Sequence, residues 1–112
     1  MINLRVIELE GATIISLSGN LDIETSGKFK ELALKWCKKS QKGIVLDLRE
    51  VDYVDSIGLG SIISVFNRCV SHKKKMAIVV GKNEVRRSIN MAKLDKLIDL
   101  YESVSNALEF FD

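Results

Sequence analysis

The sequence predicts a single α/β domain: a mixed, mostly parallel sheet with an N-terminal antiparallel hairpin strand and about four helices. Three observations carry this. Short runs rich in Ile, Val and Leu alternate with segments of helical periodicity. The first two such runs are separated only by Glu10-Gly11, a hairpin signal. The run "GIVLDL" (43–48) is almost continuously apolar after a glycine, as a strand covered on both faces should be.

The elements follow in order. Residues 2–9 and 12–18 read as two strands joined by the Glu10-Gly11 turn, and Gly19-Asn20-Leu21-Asp22 reads as a loop. A helix is expected from Ile23 or Glu24 to Ser40, with Phe29, Leu32, Ala33 and Trp36 on its buried stripe. After the strand 43–48, the most regular helical pattern in the chain carries Leu59, Ile62, Ile63, Phe66, Cys69 and Val70, closed by His72 and three lysines. "MAIVV" (76–80) is another buried strand. A helix over 83–92 follows through Val85, Ile89 and Ala92, then a short strand over 97–100. Ser103 caps a last helix carrying Val104, Ala107, Leu108 and Phe111. Strands alternating with helices imply parallel units with right-handed crossovers.

Composition narrows the function. The 112 residues suit one domain, 1–112, and the balance of 46% hydrophobic and 29% charged residues is that of a globular protein. A net charge of +2 gives no footprint for nucleic acid or an anionic membrane. The basic cluster Lys73-Lys74-Lys75 complements a helix C-terminus, where cations suit the dipole. The N-terminal segment reads as strand rather than signal peptide, and no apolar run is long enough to span a bilayer. Cys37 and Cys69 lie on apolar helix faces without CxxC spacing, and His72 is the single histidine. Buried free thiols in a reducing cytoplasm are the expectation; the ligands are too few for a metal site.

The stretch "VDSIGLG" (54–60) concentrates the remaining chemistry. Its simplest reading is a helix start, with Asp55 or Ser56 as the cap and the glycines allowing close packing. Catalytic readings fail one by one. A nucleophile elbow needs glycine where Val54 stands. His72 lies at the other end of the same helix, roughly 24 Å from Ser56 at 1.5 Å per residue. Gly58-Leu59-Gly60 lacks the third glycine of a dinucleotide loop, and no Walker lysine follows. Stepping about 100° per residue from Leu59 turns Ile57, Ser61, Ser64 and Arg68 toward water, with Gly60 and Asn67 at the border. An exposed Ile57 beside a hydroxyl and a glycine notch suits a docking surface, where another backbone can approach closely.

The motif Asp55-Ser56-Ile57-Gly58-Leu59-Gly60, after an apolar strand and opening an apolar helix, resembles the signature of bacterial anti-sigma factor antagonists of the STAS domain family. "SGNLD" (18–22) is similar to that family's G-x-L-D loop, and length and element order match across essentially the whole chain. The resemblance implies a cytoplasmic, non-enzymatic protein without cofactor that binds an anti-sigma factor, often itself a serine kinase, and so releases a sigma factor. It further implies phosphorylation at Ser56, reversed by a serine phosphatase, and a partner surface of Asp22, Asp55, Ser56, Ile57, Gly58, Leu59 and Gly60. A monomer is expected, without nucleic-acid or membrane partners. Ile57 departs from the second hydroxyl residue many relatives carry, so no backup phosphoacceptor follows Ser56. Two other readings stand beside this one. A STAS scaffold used without phosphorylation would take no phosphate on Ser56. A nucleotide or small-molecule sensor using residues 19–22 and 54–58 would show a ligand-dependent melting shift with no protein partner present.

Overall fold

The computed structural model describes residues 1–111. The elements run β1 (Ile2–Leu9), β2 (Ala12–Leu21), α1 (Ser26–Lys39), β3 (Gly43–Val54), α2 (Ser56–Ser71), β4 (Lys75–Val79), α3 (Glu84–Met91), a 3-10 turn (Leu94–Lys96), β5 (Asp99–Tyr101) and α4 (Val104–Glu109). One five-stranded sheet has the order β1-β2-β3-β4-β5. β1 and β2 are antiparallel and every later pair is parallel, as the alternation of strands and helices predicts. Glu10 (φ 54°) and Gly11 (φ 86°) both adopt left-handed backbone, the tight-turn geometry whose twist matches the strands it joins.

Right-handed crossovers that always step to the next strand place their helices on one face of the sheet. The main core lies there. Leu17, Ile44, Leu46 and Ile78 from the sheet pack with Phe29 and Ala33 of α1, Ile62 and Val65 of α2, and Val85 and Ile89 of α3. Alternate strand residues point the other way: Ile14, Val45, Ala77 and Val79 form a second cluster with Ala107 and Phe111 at the α4 side. The Ser103 hydroxyl caps α4 by accepting from the Asn106 N–H at 3.1 Å.

Several boundaries differ from the sequence reading, each for a local reason. α1 begins at Ser26, because residues 22–25 close a turn in which the N–H groups of Thr25 (3.2 Å) and Ser26 (2.8 Å) donate to the Asp22 carbonyl. β2 does not stop at residue 18. It continues to Leu21 and pairs with an equally prolonged β3 through Ser18↔Glu50, Gly19↔Val51, Asn20↔Tyr53 and Leu21↔Val54. Opposite residues 16–18 and again opposite 19–20 of β2, β3 takes one extra residue, and these register shifts break its simple alternation. The last strand lies at 99–101 rather than 97–100, because Lys93 turns left-handed (φ 62°) and a 3-10 turn intervenes.

α2 is rotated from the expected stripe. Its buried residues are Gly58, Ser61, Ile62, Val65 and Cys69. Ser61, expected in water, is 3% exposed; Val70, expected in the core, is 55% exposed. Burial follows the closest approach of the helix to the sheet, and small residues there admit an approach that an apolar count does not register. The Ser61 hydroxyl costs little inside, because it donates to the Gly58 carbonyl at 2.6 Å of its own helix.

Candidate functional site

The site forms where β2 and β3 end. Parallel pairing of Leu21 with Val54 brings the residues that follow, Asp22 and Asp55, to the same edge of the sheet. The Asp55 N–H donates to the Leu21 carbonyl at 3.2 Å. One Asp55 carboxylate oxygen accepts from the Gly58 N–H at 2.7 Å and so caps α2. The other accepts from the Ile23 N–H at 3.1 Å, which ties the loop after β2 to the helix start after β3. Between the two cap candidates in the sequence, Asp55 takes the role.

Asp22 organises its own loop. Its carboxylate accepts from the N–H groups of Glu24 (3.0 Å) and Thr25 (3.2 Å). The Thr25 hydroxyl accepts from the Asp22 N–H at 2.9 Å and donates to the Asn20 carbonyl at 2.8 Å. Both aspartates are therefore held by backbone amides, and the two loops form one rigid edge.

Ser56 stands in the first turn of α2, exposed, and its hydroxyl makes no hydrogen bond among the described residues. The Asp55 side chain and carbonyl occupy the Gly58 and Leu59 N–H groups, the latter at 2.9 Å. The N–H groups of Ser56 and Ile57 have no protein acceptor among the described residues. An exposed hydroxyl thus sits at the positive end of a sixteen-residue helix with free donors beside it.

Exposed apolar residues lie on the same two loops and the helix start. Ile57 is 49% exposed, as the helix geometry predicts, and Leu59 is half-buried against the core. Ile23 is 71% exposed on the tied loop, and Tyr53 is exposed at the end of β3. The sequence reading singled out neither. Ile23 follows the loop aspartate directly, and Tyr53 neighbours Val54; both became visible only when β2 and β3 were paired to their ends.

The two glycines part company. Gly58 is buried, and a methyl group built on it would overlap the carbonyl oxygen of Leu21 and lie 3.0 Å from Val54 Cγ1. The notch expected for a partner at that position is filled by the protein's own β2. Gly60 has open space where its side chain would be.

The double duty of Asp55 has a measurable cost. Asp55→Ala removes the cap and leaves the Ile23 N–H without its acceptor, a loss of about 1–2 kcal/mol. Urea denaturation should show a lower midpoint with an unchanged slope.

Comparisons with known proteins bear on the family and the fold. The chain matches the STAS domain family over residues 3–107. An anti-sigma F factor antagonist of Paenibacillus polymyxa is 32% identical over 106 residues, covering 91% of each chain. The anti-sigma-F factor antagonist RsfB of Mycobacterium tuberculosis is 25% identical over 107 residues, covering 96% of this chain and 87% of that one. In three dimensions, the crystal structure of an anti-sigma factor antagonist from Mycobacterium paratuberculosis superposes with a TM-score of 0.91 at 24% identity, over 99% of this chain and 94% of the other. The chain belongs to the STAS domain family, among relatives named anti-sigma factor antagonists.

Proposed function

We propose that this domain is a cytoplasmic anti-sigma factor antagonist switched by phosphorylation of Ser56. Unphosphorylated, it docks on an anti-sigma factor of the serine kinase type and so frees a sigma factor. Ile57, Leu59 and Gly60 make the contact with Asp22, Asp55 and Ser56, while Gly58 supports them from beneath. The docked kinase transfers phosphate to Ser56, the complex separates, and a serine phosphatase restores the starting state. The domain, 1–112, acts as a monomeric binding module and catalyses nothing itself.

One observation carries this reading: the Ser56 hydroxyl is exposed at the mouth of α2 while Asp55 does the capping. Substituting the hydroxyl therefore leaves the helix start intact. A phosphate there adds about −1.5 to −2 charges at neutral pH. The free N–H groups and the helix dipole favour it within the fold. A partner seated on Ile57 must instead desolvate that charge, an unfavourable step when no cation pairs with it.

The strand order supports binding over nucleotide sensing. The sheet runs β1-β2-β3-β4-β5 without reversal, so it has no switch-point crevice of the kind in which open α/β sheets hold ligands. The test is capture of the partner from native lysate, followed by intact-mass analysis with ATP. Addition of one phosphate, absent from Ser56→Ala, supports the proposal. Stable capture with no phosphate on Ser56 would show a scaffold instead.

A further inference from the structure

The two cysteines of the chain meet across the α1–α2 interface, away from the site at the helix N-termini. Cys37 of α1 and Cys69 of α2 are both fully buried, with their Sγ atoms 2.9 Å apart. Both are free thiols. The Cys37 thiol also donates to the Val65 carbonyl at 3.4 Å, which directs it toward α2. A disulfide bond is about 2.05 Å long, so less than an ångström of sulfur movement separates the contact from a bond. Each cysteine stands two residues before the end of its helix, Lys39 in α1 and Ser71 in α2. Helix ends open locally at low cost, which gives a small oxidant access to a buried pair.

We propose that Cys37 and Cys69 form a reversible intramolecular disulfide that staples α1 to α2, closed by a peroxide and reopened by a dithiol. The hydrogen bond shared with Cys69 holds Cys37 below the usual thiol range, although burial opposes it. The same shared hydrogen, together with burial, pushes Cys69 up. Either sulfur can attack once its helix end opens; with Cys37 attacking, Cys69 is the resolving thiol.

In the first step, Cys37 sulfur attacks one peroxide oxygen and the O–O bond breaks. Cys37 becomes a sulfenic acid, and the departing hydroxide leaves as water with the proton that Cys37 gave up. In the second, Cys69 sulfur attacks Cys37 sulfur and the S–O bond breaks. The sulfenic oxygen departs as a second water with the Cys69 proton. Peroxide gains two electrons and each sulfur loses one.

The experiment uses the full reduced chain, hydrogen peroxide in slight excess, and intact-mass analysis after unfolding in iodoacetamide. The expected product is a monomer about 2 Da lighter that takes up no alkylating agent, and dithiothreitol restores both alkylation sites. The staple spans 32 positions and encloses all of β3, so melting of the oxidised form should rise by roughly 10 °C. A product that gains oxygen without losing hydrogen overturns the proposal. So does a disulfide-linked dimer, or a chain whose two thiols both remain alkylatable. Single variants C37S and C69S, where folded, should lose the mass change; the wild-type result decides without them.

Discussion

Ser56→Asp should stay folded yet bind the anti-sigma partner at least about tenfold more weakly, while Ser56→Ala should bind normally and accept no phosphate. The fold tolerates both because the Ser56 hydroxyl has no hydrogen-bond partner among the described residues and Asp55 holds the cap. The aspartate places a carboxylate at the positive end of α2, a favourable position of about 0.3–1 kcal/mol in the free protein. Across an interface the same charge is stripped of water beside Ile57 and Ile23, both open to solvent in the free domain. Only about 1.4 kcal/mol of that penalty is needed for a tenfold loss of affinity. Titration calorimetry against the purified partner reads the effect directly. Wild-type affinity for the aspartate variant would refute the charge mechanism. Circular dichroism of the same samples separates lost binding from lost folding.

Gly58→Ala is the variant expected to damage the fold most, by about 3 kcal/mol or more, with a fall in Tm of roughly 10 °C. Its new methyl group meets backbone, the carbonyl of Leu21, rather than a side chain that could swing away. That carbonyl is fixed in turn by the Asp55 N–H. Relief therefore requires α2 to slide off the end of β2. Gly60→Ala, two residues on, supplies the control. Nothing lies within 4 Å of the added atom, so the better helix former should be neutral or stabilising by about 0.5–1 kcal/mol. Thermal melts of the two variants side by side check the contrast. Equal losses at both positions would mean that helix propensity, not the contact with β2, sets the result.

Those two glycines show where the sequence is readable and where it is not. Periodicity alone orders the strands and helices correctly, because each element buries one face and the repeat of that face is a local property. Which face of α2 is buried is not wholly local. Ile62 and Cys69 are in the core as their spacing predicts, but Val70 is outside and Ser61 inside. Only the distance between α2 and β2 decides between them. The polar end of β3 escaped for a similar reason. Arg49, Glu50, Asp52 and Tyr53 break the apolar run, yet Val51 and Val54 are buried and the strand continues by pairing with β2. The site was readable to the extent that one motif contains it: Asp55, Ser56 and Ile57 are neighbours in sequence. Its second half, the Asp22 loop with Ile23, is joined to it by the pairing of Leu21 with Val54 and by a side-chain hydrogen bond spanning 32 positions. A capping motif announces that its carboxylate will seek amides. It does not say that one of them will come from another loop.

The strand order β1-β2-β3-β4-β5 also bears on how the protein is made. Every strand after β1 lies beside the one translated immediately before it, and no later strand has to be threaded between two already joined. As the chain leaves the ribosome, each new strand finds its neighbour's edge already in place, so the layer can grow in the direction of synthesis.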